Sequence, residues 1–201
     1  MNLSVFDVFK VGVGPSSSHT MGPMLAARMF VQDLAARNLL DRTIEVFVQL
    51  YGSLALTGLG HCTDRAVLLG LEGNDPAGVD PAIMEPALAR IRGSGRLRLL
   101  GRHEVAFDEP MNLLFLRDQM LPGHSNCMRF TARDAEGRTL LGEEMYSIGG
   151  GAVLRAGDEF GSPPADAPAL PLPFANGDEL LVRCREAGLT IDGLMLENER
   201  A

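Results

Sequence analysis

The sequence contains a single lysine, Lys10, and this scarcity argues against one large class of amino-acid chemistry. Enzymes that use pyridoxal phosphate bind it as a Schiff base on a lysine side chain. Lys10 precedes a glycine-rich loop on an apolar segment, so we expect no pyridoxal phosphate. The GxGxxG loop, the P-loop and the GxSxG elbow are missing from the sequence too, which argues against dinucleotide binding, NTP binding and α/β-hydrolase chemistry.

Cysteine is also scarce. The residues Cys62, Cys127 and Cys184 are odd in number and far apart, with no CxxC pair. Such spacing provides neither a disulfide framework nor a zinc site and is typical of a reducing cytosol. Histidine pairs spaced as HxH or HExxH are missing, so we expect no self-contained metal centre. Because no basic-then-apolar leader and no run of 18 apolar residues occurs, we expect a cytoplasmic protein without a membrane span.

The composition is that of an ordinary globular protein with an acidic balance. The 201 residues are 46% hydrophobic and 22% charged, and the formal net charge is −8. The hydrophobic fraction is sufficient for a real core in a domain of this size. The negative charge disfavours nucleic acid and anionic membrane as partners.

Apolar spacing predicts an α+β domain in which helices pack on a mostly antiparallel sheet. We expect a helical turn at 3–9 and helices at 24–38, 65–71 and 82–92, the second capped by Thr63-Asp64. Strands are expected at 43–51, 97–100, 103–108, 113–116, 128–133 and 140–148, with a hairpin turn at Glu136-Gly137. In the first strand Ile44, Val46, Val48 and Leu50 should share one face.

A change of composition after residue 155 predicts a domain boundary. Residues 1–155 form the predicted domain, and 156–175 hold five prolines and read as a linker. Asn176 can cap a further helix up to Arg185, followed by an apolar stretch at 189–196. We expect 176–201 to begin a second domain whose remainder is absent from this chain.

The stretch from Val11 to Pro23 is the most distinctive in the sequence. Its glycines and prolines exclude regular structure from most of it, and Ser16 to Thr20 supply four hydroxyls and an imidazole directly before a helix. The first N–H groups of a helix lack internal partners, so such a loop is suited to bind an anion. A serine-rich helix cap explains the same residues equally well.

The four histidines all lie beside glycine or polar loop residues. Imidazole titrates near neutral pH and suits general-base work, although a lone histidine is more often a hydrogen-bonded structural residue. The structural alternative is favoured for His103. For the turn that contains His124 and Asn126, the alternative to a functional role is an ordinary polar turn. Gly149-Gly150-Gly151 either lets backbone approach a ligand or only ends a strand.

Taken together, these motifs resemble the N-terminal β domain of the iron–sulfur-dependent L-serine dehydratases, over essentially the whole chain. Pro173-Phe174 before a capped helix resembles the entry to that family's catalytic domain. The other matching residues are Ser4–Lys10, Gly12–Thr20, Tyr51–Gly58, Gly60-His61, Thr63-Asp64, His124, Asn126 and Tyr146–Gly151.

The resemblance implies deamination of L-serine to pyruvate and ammonia, with a four-iron cluster as Lewis acid. The cluster's cysteines belong to the C-terminal catalytic domain, so this chain alone should carry no cluster and be inactive. L-serine, that catalytic domain and, in the full-length form, a second copy are the implied partners. A similarity to the allosteric substrate-binding domain of some phosphoglycerate dehydrogenases supplies a rival function, a regulatory module that binds L-serine or another small acid. A purely structural interface domain is a weaker alternative.

The resemblance also implies roles for individual residues. His61 is the candidate base, with Thr63 and Asp64 orienting it, and His19 is the alternate. Thr63, Asp64, His124 and Asn126 also belong to the implied substrate site. The substrate carboxylate would meet the polar loop, through Ser16, Ser17, Ser18 and Thr20. The sequence departs from the family at Cys62, where glycine or histidine is common, and at Cys127, where glycine is common.

Overall fold

Most strands and helices lie where the apolar spacing predicts them, in a computed structural model that describes residues 9–158 and 170–200. The predicted turn at 3–9 lies outside these ranges except for Phe9. The strands are β1 (Glu45–Tyr51), β2 (Arg96–Leu99), β3 (His103–Ala106), β4 (Leu113–Leu116), β5 (Cys127–Arg133), β6 (Thr139–Gly149) and β7 (Ala152–Arg155). The helices are α1 (Gly22–Ala36), α2 (Gly52–Thr57), α3 (Thr63–Leu71), α4 (Pro81–Ser94), α5 (Glu109–Asn112), α6 (Gly177–Ala187) and α7 (Ile191–Glu199).

Within residues 10–158, five strands form one mixed sheet in the order β4-β1-β5-β6-β7. β1 runs parallel to β4 and antiparallel to β5, with Val48 opposite Phe130. The pairs β5–β6 and β6–β7 are also antiparallel. β2 and β3 form a separate antiparallel hairpin. The α+β class with a mostly antiparallel sheet is therefore confirmed.

One face of the sheet packs on the helices. Val46, Val48 and Leu50 of β1 are fully buried, as the alternation predicts, whereas Ile44 precedes the strand and is half exposed. Phe30 of α1 stacks on Phe130 of β5 with ring centroids 5.3 Å apart. These contacts place the main core between the helices and this face of the sheet.

Helix α3 crosses α1 at a very short distance because of a glycine. A Cβ atom on Gly70 would overlap the carbonyl oxygen of Met24 and lie 2.8 Å from Cβ of Ala27. The absence of a side chain at Gly70 is what lets the two helices approach.

Three elements differ from the sequence-based expectation. Helix α2 begins at Gly52, directly after the predicted strand at 43–51. Its six residues are too few to show a helical repeat of apolar positions in the sequence. Helix α5 is shorter still, at four residues. Strand β7 follows Gly149–Gly151, all with positive φ, so these glycines form a turn that returns the chain to the sheet.

The chain divides into two compact units, of which residues 10–158 form one. In the other, the described residues 170–200 contain α6, capped by the Asn176 side chain, and α7, capped by Thr190. The helix at Asn176 is thus confirmed, whereas the boundary at 155 and the second-domain assignment stay predictions. Much of the predicted linker, residues 159–169, lies outside the described ranges. None of the helices in the described ranges has the length and apolar character needed to cross a bilayer.

Candidate active site

The polar residues singled out from the sequence lie at one edge of the large sheet. β1 and β6 end at this edge and β5 begins there, because β5 is antiparallel to both. The N–H of Ser53, just after β1, donates to the carbonyl of Ser125, at 2.9 Å. The N–H of Ser147 on β6 donates to the carbonyl of Asn126, at 3.0 Å. Loops from distant parts of the sequence therefore meet here.

The loop before α1 contains regular structure that the glycine and proline content did not predict. Ser17–Met21 form one turn of π-helix that continues directly into α1. Its N-cap is Ser16, whose Oγ accepts a hydrogen bond from the N–H of His19 at 3.1 Å. Pro23 is the second residue of α1, where a missing N–H costs little. The helix cap expected from the sequence is thus present in this segment, whereas anion binding by the loop stays a prediction.

His19 lies between two serine hydroxyls. Its Nδ1 is 2.9 Å from Oγ of Ser18, and its Nε2 is 3.0 Å from Oγ of Ser53. A neutral imidazole has one donor and one acceptor, so one serine donates to the ring and the other accepts from it. Burial lowers the pKa of His19 below its usual value, and the neighbouring His61 lowers it further, whereas the hydrogen bond to Ser53 opposes both effects. His19 is therefore neutral at neutral pH.

His61 ends a short 3₁₀ turn, Gly58–His61, that follows α2. Its Nδ1 lies 3.0 Å from the carbonyl oxygen of Thr57. A carbonyl can only accept, so Nδ1 carries the proton and Nε2 of the neutral ring keeps a free lone pair. The ring centroid is 5.0 Å from that of His19. The structure thus brings the two candidate bases together and leaves His61 in the tautomer that a base at Nε2 requires.

Two threonines from the predicted site bind backbone carbonyls. The hydroxyl of Thr20 donates to the carbonyl of His61 at 2.7 Å, and the hydroxyl of Thr63 donates to the carbonyl of His19. Both threonines are buried. Thr20 is therefore unavailable to a substrate carboxylate. The hydroxyl of Thr63 binds the His19 backbone rather than the His61 ring, which binds the carbonyl of Thr57.

Asp64 points away from the histidine pair. Its carboxylate binds Arg92 at 2.7 Å, and Arg92 also binds Glu109 at 2.8 Å. These two carboxylates raise the pKa of Arg92. The expectation that Asp64 orients His61 is therefore wrong, because a stronger partner on α4 engages its carboxylate. Nor is Thr63-Asp64 the cap of α3, whose N-cap position is Cys62.

His124 and Asn126 lie in the loop before β5. The N–H of Asn126 donates to Nδ1 of His124 at 3.0 Å, and its side-chain amide donates to the carbonyl of Ser147 at 3.1 Å. Among the described residues, Oδ1 of Asn126 and Oγ of Ser147 are buried without a hydrogen-bond partner. Buried polar atoms are rarely left unpaired, so these two oxygens are exceptions in this part of the structure.

Ser53 and Ser147 are not among the site residues predicted from the sequence. Ser53 contacts His19, and Ser147 packs against Gly22 so closely that a Cβ atom there would overlap its Oγ. Both serines lie in the matching motifs, and each stands at or just beyond the end of a strand at the shared edge. That position is the signal that could have identified them.

The contact between His19 and His61 leads to a testable expectation for the pKa of His19. In the His61→Ala variant the pKa of His19 should rise, because one cause of its lowering is removed, yet stay below the unperturbed histidine value of 6.5, because burial remains. In the native protein the unfolded chain binds a proton at His19 before the folded chain does. The free energy of unfolding contributed here should therefore fall as pH drops through the interval below 6.5. NMR titration of the imidazole resonances measures the pKa, and a His19 pKa at or above 6.5 in the native protein would contradict this environment.

Known proteins resemble this chain over most of its length. Residues 4–158 match the family described as serine dehydratase beta chain. The L-serine dehydratase of Streptomyces coelicolor is 50% identical over 203 residues, which cover 100% of this chain and 44% of that protein. L-serine dehydratase 1 of Escherichia coli is 43% identical over 200 residues, covering 99% of this chain and 43% of that protein.

A more distant relative shows the same coverage. The L-serine dehydratase of Helicobacter pylori is 33% identical over 201 residues, covering 100% of this chain and 44% of that protein. The chain thus spans less than half the length of these relatives. Since the family match extends over more than half of the chain, the chain belongs to the serine dehydratase beta chain family.

Proposed function

We propose that this chain is the β-domain portion of an L-serine dehydratase, the enzyme that deaminates L-serine to pyruvate and ammonia. The observation that carries the proposal is the histidine pair, in which His61 has Nδ1 engaged by the Thr57 carbonyl and Nε2 free to accept a proton. The names of the relatives support the substrate, and the lyase reaction requires a base near neutral pH. His19 is the alternate base.

The proton chemistry assigned to this chain is simple. Nε2 of His61 takes the α-proton of L-serine, and the β-hydroxyl leaves from the neighbouring carbon as the Cα–Cβ double bond forms. The resulting enamine tautomerises and is hydrolysed to pyruvate and ammonia. Nδ1 stays bound to the Thr57 carbonyl during this transfer, so the ring keeps its orientation while it gains charge.

The substrate carboxylate is assigned to the start of the first helix. Ser17 is exposed there, whereas Ser16 caps the helix and Ser18 contacts His19. First-turn N–H groups have no acceptor inside the helix and attract an anion, worth about 0.3–1 kcal/mol when exposed and roughly 2 kcal/mol when partly buried. This is too little for tight binding, so the rest of the enzyme must supply further contacts. Asn126 and His124 complete the part of the site that this chain provides.

The four-iron cluster is assigned to the catalytic portion of the enzyme, outside this chain. Among the described residues, no group of three or more His, Cys, Asp or Glu side chains is placed to hold a metal ion. Burial raises the pKa of the Cys127 thiol to about 12. The residues described here therefore do not fit the cluster, and the steps assigned to this chain use only its own groups.

The segment that carries His61 also favours a site completed by other surfaces. Leu56 of α2 and Leu59 of the following turn are 62% and 54% exposed. Large apolar side chains beside a polar site are suited to be covered by a partner surface. We propose that the catalytic domain of the same enzyme covers them, and that the complete enzyme assembles as a homodimer.

The experiment compares this chain alone with the complete enzyme, meaning this chain together with the catalytic portion. A chimera in which this chain replaces the matching segment of the Streptomyces coelicolor relative provides that form. We expect pyruvate production from L-serine in the chimera and none from the chain alone. Calorimetry with L-serine should show no saturable binding to the chain alone. Saturable binding there, with no turnover in the chimera, would favour the regulatory module instead.

A further inference from the structure

The two histidine segments are joined by a reciprocal pair of hydrogen bonds. Thr20, next to His19, donates to the carbonyl of His61, and Thr63, two residues after His61, donates to the carbonyl of His19. Thr20 is 3% exposed and Thr63 is fully buried. Each histidine thus has its own carbonyl bound by the threonine of the other segment.

This reciprocal pair of bonds restricts the relative position of the two segments more than a single buried hydroxyl would. One hydrogen bond between two loops leaves them free to rotate about it, whereas two bonds in opposite directions fix both separation and orientation. The acceptors are the main-chain carbonyls of the histidines themselves, so the bonds act on the residues whose rings lie 5.0 Å apart.

The local backbone supports the arrangement. Cys62, between His61 and Thr63, has a φ of 58°, in the left-handed region that side chains other than glycine seldom adopt. Its conformation directs the chain from the 3₁₀ turn into α3 and places Thr63 at the first position of that helix. A strained residue persists only where the surrounding contacts hold it, and the two threonine bonds flank it on either side.

We propose that Thr20 and Thr63 are positioning residues, a reciprocal clamp that sets the distance and angle between His19 and His61. Neither threonine needs to touch the substrate. The catalytic part of this inference rests on the proposed function, whereas the geometric part does not.

The first test measures the clamp without turnover. In Thr20→Val and Thr63→Val, NMR titration should show the pKa of His19 rising toward 6.5, because the His61 ring is no longer held beside it. The ring-to-ring nuclear Overhauser contacts should weaken in parallel. Thr20→Ser and Thr63→Ser keep the hydroxyl and should retain the native titration. If a valine variant fails to fold, a serine variant whose His19 titration differs from the native one would still contradict the clamp, because serine keeps the hydroxyl.

Thr43 provides a matched control. It is fully buried and its hydroxyl donates to the carbonyl of Leu39 at 3.0 Å, on a different segment from the histidines. Thr43→Val removes a bond of the same type and should lose stability without moving the His19 titration. If Thr63→Val shifts the pKa of His19 no more than Thr43→Val does, the clamp is disproved.

The second test measures the catalytic consequence in the complete enzyme. A displacement of about 1 Å in a catalytic group can cost on the order of 100-fold in rate, so each valine variant should lower kcat by about 10–100-fold with little change in KM. The double variant should lose little more than either single variant, since either change opens the clamp. A titration shift with unchanged kcat would keep the geometric clamp and overturn its role in positioning a base, which separates this inference from the proposed function.

Discussion

Replacement of His61 by alanine in the complete enzyme should lower kcat for L-serine by ~10²–10⁴-fold, the usual effect of removing a general base. The α-proton then has no acceptor at the position that Nε2 occupies, because the neighbouring His19 has both ring nitrogens near serine hydroxyls. The variant should fold, since the His61 side chain is partly exposed and its ring is hydrogen-bonded to the Thr57 carbonyl. Steady-state kinetics with detection of pyruvate measures the loss.

His103 provides the histidine control for this experiment. Its Nε2 lies 2.7 Å from the carbonyl of Thr43, away from the histidine pair, which agrees with the structural role expected for it. His103→Ala should therefore leave kcat near the native value. A near-native rate in His61→Ala would remove His61 from the role of base and make His19 the remaining candidate, whereas equal losses in both variants would indicate a folding effect.

Replacement of Gly70 by alanine should give the largest change in stability among the single-methyl substitutions considered for this chain. The added Cβ would overlap the carbonyl oxygen of Met24 and lie 2.8 Å from Cβ of Ala27, so α3 must move away from α1. Overpacking of this kind costs typically 1–3 kcal/mol and occasionally more. Urea denaturation should show a lower midpoint with an unchanged slope.

Gly93 is the matched control, because it is also helical. A Cβ atom at Gly93, in α4, has no neighbour within 4 Å among the described residues. Gly93→Ala should therefore raise the free energy of unfolding by roughly 0.5 kcal/mol through helix propensity alone. If Gly70→Ala were neutral or stabilising like Gly93→Ala, the two helices would not approach as closely as described.

Most strands of the sheet could be predicted because the apolar pattern of a strand lies within a few consecutive residues. Alternating Val46, Val48 and Leu50 place one face of β1 in the core, and β4 is recognisable instead as a continuous apolar run, Leu113–Leu116. α2 was not predictable, since six residues contain less than two helical turns and its first residue is glycine. The prediction that Ile44 lies in the strand was wrong for a similar reason, since the first residue of a strand is set by where the neighbouring strand begins.

The two histidines of the candidate site could be identified from the sequence, but the contacts of the site residues could not. His19 and His61 belong to motifs that their composition makes conspicuous, and the structure brings their rings together. The partners of Thr20 and Asp64 depend on chain segments 41 and 28 residues away, which no local pattern specifies. Sequence proximity suggested that Asp64 serves His61, whereas the helix that begins at Thr63 turns its carboxylate toward Arg92.

The strand order has a consequence for how the protein is made. β1 is synthesised early yet lies between β4 and β5. Its edge toward β4 stays unsatisfied until more than sixty further residues have been made, and its edge toward β5 until more than seventy have. Non-local pairing of this kind slows folding and exposes open strand edges in the meantime. The contact of Ser53 with Ser125, and that of Asn126 with Ser147, can form only after this delay. During biosynthesis the two histidines therefore precede the rest of their pocket, and a ribosome that stops before β6 releases a chain that contains both histidines without the contacts that surround them.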